Sequence, residues 1–564
     1  MMIRWLLASV LGLIFVSPSQ AADPLARAAA LPPGPYAAAC SNVAQDFSQL
    51  NGEPVEGYWE GIPRDGQYRY VTQLLTEPNA TLRFAVTPPH TDLFPRLRGE
   101  VKEYVALFCY PTSTANTRPD FALPNGHVVP HMERAGDAPI WSDEVTRYPL
   151  IVYSHGLGGS PLSDDYLSSI LRFVSHGYAV AALFHGDPRF SRVRLEDLSD
   201  YWYAVRNFSE LVEMQAIRPL SVVGALDLLL ADARYRERID AERIGIFGTS
   251  LGGETALLTV GAKLTASLGL TSLAVVQDAR IKAVAGYVPY SGQSFLPAFG
   301  DDQNGVDGLA VPYLGIAGTA DFTAPISLTE QAVNRLSGSR FLVALQDVGH
   351  RYDASLVPDI YTWNVFFFDA FLRGDLSARV KLARLQEVAE GPADSTRVDV
   401  LSPLPASGSE QFAHEFYHPS LKHFFVTASA AEAAGIDAGA AGAGWQRTGL
   451  QFKVHGLGTS GASSVCRFYG TPGVGPNSHF YTANAPECEW VKGDPGWFYE
   501  GLAFAVDTAT DGACAPDRLP VYRAYNQGYP SNDSNHRYTI SRSTLAEMQR
   551  VGWAGEGIVF CAAP

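Results

Sequence analysis

The stretch Arg243–Leu257 reads RIGIFGTSLGGETAL. An apolar run (Ile244, Ile246, Phe247) enters Gly248-Thr249-Ser250-Leu251-Gly252, and an Ala/Leu-rich segment leaves it. The pattern predicts a strand, a sharp turn and a helix, with a Gly-x-Ser-x-Gly elbow at the turn. Ser250 then has to adopt a strained backbone conformation, and its glycine neighbours let strand and helix pass closely. The helix behind it aims its first N–H groups at any anion forming on the serine.

A serine hydroxyl is a poor nucleophile near neutral pH, so it needs a base, and the base needs an orienting acid. On such a sheet the chain order is Ser, then Asp or Glu, then His. Downstream, the strand Val311–Ala317 runs into Gly318-Thr319-Ala320-Asp321, and the strand Arg340–Leu345 runs into Gln346-Asp347-Val348-Gly349-His350. Order and strand-end placement both fit Asp321 as the acid and His350 as the base, with Asp347 as a rival acid. An oxyanion would need two backbone donors. These are expected at Leu251, just after the serine, and at Leu157, in the Gly-rich turn that follows the strand Tyr148–Tyr153. His155 reads as a brace for that turn. Pro130 separates His127 from His131 and spoils a shared helical face, and neither Cys-x-x-Cys nor His-x-x-x-Cys occurs. No metal or cofactor is expected.

Working outward, helices are expected at 164–176, 217–232 and 358–373, and further strands at Tyr178–Leu183 and Ile281–Val288. Strands alternating with helices predict an α/β fold, a doubly wound, mostly parallel sheet with ligands outside its carboxyl ends. Tyr68–Val71, Thr81–Val86 and Val101–Tyr110 read as its antiparallel leading edge, and 22–40 and 111–145 as irregular. Segments around 187–215 and 290–310 read as insertions that shape the pocket. The aromatics Phe190, Tyr201, Trp202, Tyr203 and Phe208 imply an apolar acyl or aryl group.

The stretches YSHGLGGSP, SHGYAVAALFHGD, GTSLGG, GTADFTAP and DVGH together resemble the α/β-hydrolase superfamily over roughly residues 55–375. The resemblance is to its secreted serine esterases of the platelet-activating-factor acetylhydrolase, dienelactone hydrolase and polyester-hydrolase kind. It implies an α/β-hydrolase fold and hydrolysis of carboxylic esters. It also implies an oxyanion N–H on the residue after His-Gly, which is Leu157. Dienelactone hydrolases proper use a cysteine; Ser250 departs from that pattern and favours ester hydrolysis.

The 564 residues leave room for two or three domains. A net charge of −16 without any Lys/Arg-rich block argues against nucleic-acid binding. Arg4, the apolar run Trp5–Val16 and Ser17–Ala21 form the parts of a signal peptide over 1–21, so a secreted or periplasmic protein is expected. That apolar run is too short to span a bilayer, and no other segment reaches about 18 consecutive apolar residues. Six cysteines in an exported chain suggest disulfides, with the pairing Cys40–Cys109, Cys466–Cys488 and Cys514–Cys561 expected.

After a catalytic region over 22–375, residues 376–408 are polar and Pro-containing and read as a linker. Over 409–564 a motif occurs three times. Its copies are Phe416-Tyr417 … His423-Phe424-Phe425 … Gly444-Trp445, then Phe468-Tyr469 … His479-Phe480-Tyr481 … Gly496-Trp497, then Val521-Tyr522 … His536-Arg537-Tyr538 … Gly552-Trp553. The histidines lie about 56 residues apart, which predicts a smaller all-β module of three repeats. The copies resemble a repeat found in secreted bacterial proteins. Glu500 and Glu556 precede a glycine in copies two and three, where copy one has Thr448. Trp445, Trp497 and Trp553 read as core rather than as ligand platforms. The expected partner of the catalytic region is a small-molecule or polymeric ester, and that of the module a polysaccharide or polymer surface. The alternative function is surface attachment, with the module as the working part.

Overall fold

A computed structural model describes residues 23–50, 82–134, 136–163, 166–193 and 198–564, together with Val55, Leu74 and Leu75. The expected signal peptide and the strand at Tyr68–Val71 lie outside the described residues.

The first part of the chain forms strands β1 (Ala37–Cys40), β2 (Arg83–Val86), β3 (Lys102–Thr112) and β4 (Tyr148–Ser154). Helix α1 (Tyr166–Ser175), β5 (Ala179–Phe184), helices α2 (Leu198–Arg206) and α3 (Phe208–Ala231), β6 (Ile239–Thr249) and α4 (Leu251–Thr259) follow. Then come β7 (Ile281–Tyr287), β8 (Tyr313–Gly318), α5 (Ile326–Arg335), β9 (Arg340–Leu345), α6 (Val357–Phe368), α7 (Leu376–Arg384) and β10 (Asp394–Val400). The ten strands make one mixed sheet in the order β10-β9-β8-β7-β6-β4-β5-β3-β1, with β2 on β3. The six from β9 through β5 run parallel; β10, β3, β1 and β2 are antiparallel additions.

The central strands are almost wholly apolar because helices cover both faces. Tyr148–Ser154 and Ala179–Phe184 are buried at every position. One buried cluster joins Ile151, Phe247, Phe341 and Trp363, and the other joins Val152, Ile246, Leu226 and Met214.

Two expectations are corrected. Helix α3 begins at Phe208, not 217; Pro219 lies inside it and removes only one backbone donor. Among the described residues it is the one helix long and apolar enough to cross a membrane, but it lies packed on the sheet. Residues 376–408 are not a linker over most of their length: α7 packs on α6, and β10 pairs antiparallel with β9 as the sheet's edge. The N-terminal segment expected to be irregular holds this addition in place. Arg27–Ala28 pairs with Glu387–Val388, and Asp23 binds the buried Arg384 at 2.7 Å. Polar spacing disguised an edge strand, whose outer face needs no apolar residues.

The C-terminal module comprises β11 (Glu410–His418), β12 (His423–Thr427), α8 (Ala430–Asp437), β13 (Gln446–His455), β14 (Ser463–Gly470), β15 (His479–Thr482), α9 (Ala485–Lys492) and β16 (Trp497–Val506). It closes with β17 (Leu519–Tyr525), β18 (His536–Thr539), α10 (Arg542–Arg550) and β19 (Ala554–Ala562). The element order strand, strand, helix, strand thus occurs over 410–455, 463–506 and 519–562, and the all-β expectation left out the helices. Each helix is capped by a side chain: Ser429, Asn484 or Ser541. The three expected disulfides are present: Cys40–Cys109, Cys466–Cys488 and Cys514–Cys561.

Candidate active site

Ser250 sits between β6 and α4 at φ 52° and ψ −120°, a conformation that non-glycine residues rarely adopt. Packing enforces it. A Cβ on Gly248 would lie 2.0 Å from the Gly252 carbonyl oxygen, and one on Gly252 would lie 1.9 Å from that of Ser154. The two flanking glycines therefore let α4 rise directly against β6 and β4. The Ser250 N–H donates to the Tyr287 carbonyl at 2.9 Å, and its own carbonyl accepts from Tyr290 at 2.9 Å, which pins the elbow on β7.

Because β6, β8 and β9 are parallel, their carboxyl ends lie along one edge. His350, after β9, donates Nδ1–H to Oδ2 of Asp321, after β8, at 2.7 Å. That leaves Nε2 to accept from the Ser250 hydroxyl at 2.9 Å. The Asp321 side chain is fully buried, and its other oxygen accepts the N–H groups of Thr323 and Ala324 at 2.9 and 2.8 Å. Its orientation is therefore set by three hydrogen bonds. Asp347, the rival, is exposed, with a positive φ of 57°, and accepts instead from the Gln346 side chain at 2.9 Å. Of the two carboxylates, Asp321 is the one brought to the imidazole.

Leu251 opens α4, so its N–H is one of the four that a helix leaves without an internal acceptor. Leu157 lies in the turn after β4. This turn reaches the serine: a Cβ on Gly156 would be 3.4 Å from the Ser250 Cβ. His155 is fully buried in the same turn. It accepts the His185 N–H on Nε2 at 3.1 Å and donates Nδ1–H to the Gly156 carbonyl at 2.7 Å. Burial, reinforced by the nearby Arg218, lowers its pKa to about 3, so it stays neutral and braces the turn as expected.

Three residues of this support had no role in the sequence reading. Arg218, 1% exposed within α3, pairs with Asp187 at 2.8 Å and donates to the carbonyls of His155 and Gly156 at 2.9 and 3.0 Å. Asp187 in turn accepts the Gly158 N–H at 3.0 Å. His185 links the Ser154 hydroxyl at 2.7 Å to that of Ser221 at 3.1 Å. A buried charge is retained only when paired, and this pair clamps both ends of the turn 155–158. The available signals were an arginine inside an apolar helix and the charged His185-Gly186-Asp187 directly after a buried strand.

Glu254, one turn into α4, is wholly buried, and burial pushes its pKa up to about 8. The Gln215 amide donates to both its oxygens, at 2.9 and 3.0 Å. Around the mouth of the site, the two segments expected to shape a pocket meet at Tyr201 and Phe295, whose rings lie 6.5 Å apart. Phe322, beside Asp321, is 88% exposed.

In the module, the recurring polar residues are taken up by one another. Glu500 pairs with Arg467 and lies near His479, and Glu556 pairs with Arg523 and lies near His536. In the first unit Thr448 donates to the Glu415 carbonyl, and the Glu415 carboxylate binds Arg537 of the third. Trp445, Trp497 and Trp553 are half-buried and pack on His418, Phe480 and Phe424.

The chain is thus a mixed α/β protein with a charge-relay-like chain of hydrogen bonds at the carboxyl edge of its sheet, joined to a β-rich module. Residues 134–195 match the family described as platelet-activating factor acetylhydrolase, isoform II, a hydrolase family of the α/β-hydrolase superfamily. The match covers β4, the turn 155–158, α1, β5 and Asp187, and points to a lipase- or esterase-type hydrolase. Residues 411–563 match a domain of unknown function, DUF5648.

Proposed function

We propose that this protein is a secreted serine hydrolase of carboxylic esters on an α/β-hydrolase scaffold. The observation that carries the reading is the run of hydrogen bonds from Ser250 through His350 to Asp321. His350 Nε2 takes the Ser250 proton as Oγ attacks the ester carbonyl carbon. Asp321 holds the tautomer and balances the imidazolium. The tetrahedral oxyanion is met by the N–H groups of Leu157 and Leu251. Collapse breaks the bond to the alcohol oxygen, which leaves with the proton from His350. Water, deprotonated by the same imidazole, then attacks the acyl-enzyme and releases the acid. An apolar acyl or aryl group fits the mouth at Tyr201, Phe295 and Phe322.

In this reading the module is an accessory unit of three repeats that meets a polysaccharide or polymer surface. The exposed Trp490, Phe498 and Tyr529 would make that contact, rather than the packed tryptophans. Three disulfides are typical of extracellular proteins and favour export. The test is hydrolysis of p-nitrophenyl acetate, butyrate and octanoate, with fluorophosphonate labelling, by the mature chain and Ser250→Ala. Turnover and labelling should both vanish with Ser250→Ala. A wild-type chain that neither hydrolyses an ester nor takes the label would end the reading.

A further inference from the structure

The large sheet and the C-terminal module enclose a cavity of about 270 Å³ at the end of the sheet opposite Ser250. Arg340 opens β9 there, five residues of strand away from the end that leads to His350. The sheet side also contributes Leu336 and Ser402; the module contributes Thr448–Phe452 and Tyr538–Ser541. The walls are stapled together. Asp399 of β10 accepts from the Ser541 hydroxyl at 2.6 Å and from the N–H groups of Arg542 and Ser543 at 2.8 and 3.0 Å.

Arg340 is the anomaly. Two arginines buried in or near this junction hold carboxylates: Arg384 holds Asp23 at 2.7 Å, and Arg537 holds Glu415 at 2.9 Å. Arg340 has no carboxylate partner among the described residues. Its only hydrogen bond there runs from one terminal nitrogen to the Gly338 carbonyl at 3.2 Å, while its buried Nε has none. Burial alone pulls its pKa down. Neighbouring Arg379, also without a carboxylate, donates to the Ser402 carbonyl, and its Nε is likewise unsatisfied. In a chain of net charge −16, a guanidinium left without an anion is a feature to explain.

We propose that this interdomain cavity binds an organic monocarboxylate, with Arg340 as the anchor of its carboxyl group. Of the residues that line the cavity, Glu415 is the other charged one, but Arg537 binds both its oxygens at 2.9 Å, so among the lining residues one positive charge, that of Arg340, is left to match. That favours a monoanion over phosphate. A planar guanidinium can meet a carboxylate with two parallel N–H···O bonds. Leu336, Leu401, Leu450 and Phe452 supply an apolar wall for a short hydrocarbon body, and Ser402, Gln451 and Thr539 supply polar contacts. The site lies at the opposite end of the sheet from the serine and bridges the two parts of the molecule, so its occupant would tie the module to the sheet.

The test is calorimetric titration and thermal unfolding of the full chain with hexanoate and benzoate, beside hexanamide, sulfate and phosphate. Hexanoate or benzoate should bind and raise the Tm, with hexanamide and the inorganic anions at least tenfold weaker. Arg340→Met should lower carboxylate affinity at least tenfold while leaving ester turnover unchanged. Leu450→Trp, which fills the cavity and keeps the arginine, should also abolish binding and serves if Arg340→Met does not fold. Carboxylate binding that survives either folded variant, equal binding of hexanamide or sulfate, or no binding to the wild-type chain would each overturn the proposal.

Discussion

The carboxyl edge of the large sheet and the C-terminal module both display histidines, acids and aromatics, yet they use them differently. At the sheet edge, His350 and Ser250 are tied into a chain that ends at a half-buried hydroxyl open to a ligand. In the module, His479 and His536 face glutamates that already hold arginines, so each of these recurring glutamates is answered by a neighbour. Burial drives the His536 pKa well below its ordinary value, so this imidazole is neutral and structural. Recurrence in a sequence marks what a repeated unit needs in order to fold. A reactive site is marked by convergence from unrelated positions.

The sharpest way to break that contrast is at the acid. Asp321→Asn should lower kcat by about 10³–10⁴, because the imidazole would be held in the wrong tautomer. Asp347→Asn, a change to an exposed side chain, should leave the rate within about twofold. Steady-state kinetics on p-nitrophenyl butyrate decides, and a reversed ranking would move the acid role to Asp347. Next in size is the clamp behind the turn 155–158. Arg218→Met leaves Asp187 buried without its partner and should cost about 3–5 kcal/mol in denaturant unfolding. It should also lower kcat, because the Leu157 N–H loses its support. In the module, Glu556→Gln removes one of the two carboxylates that hold Arg523, leaving Glu487 at 3.0 Å, and should cost about 1 kcal/mol in unfolding of that unit. Ester turnover should not change; a change would mean that the module's ion pairs serve the catalytic edge.

The smallest effect is one of pH. Glu254 has a folded pKa near 8, above its ordinary carboxylate value, so the native state holds its proton more tightly than the unfolded chain does. Its contribution to stability is therefore fully present at low pH, declines as pH rises from about 4.5 to 8, and levels off above that. Glu254→Gln removes this term. The Tm difference, variant minus wild type, should rise across that window and then flatten. Glu133 and Asp359, both buried, and the half-buried Asp394 are raised in the same sense and remain in both chains, so the difference isolates Glu254. A flat difference curve would mean that Glu254 is already ionised in the folded protein.

Much of this was legible in the sequence. The elbow at Ser250 and the strand-end placement of Asp321, Asp347 and His350 were legible because each group follows an apolar run that reads as a buried strand. Position relative to a strand end is a one-dimensional fact. The cysteine pairing was legible in part: the gap between the two sets singles out Cys40–Cys109, whose facing positions on β1 and β3 only the structure shows, while four cysteines in the last set leave three pairings open. Edge strand β10 was not legible, since an edge half-open to water carries polar residues and reads as a linker.

What the sequence determined by itself, then, is the order of strands and turns and the identity of the groups at their ends, because hydrophobic periodicity and glycine placement are local. Tertiary structure alone decided which groups meet. It set Asp321 rather than Asp347 against His350, placed Arg218 on the turn beside the serine, and left Arg340 without a carboxylate between two parts of the chain. Those outcomes depend on distances between residues far apart in sequence, and on burial, which sets the cost of an unpaired charge. No local pattern records either one.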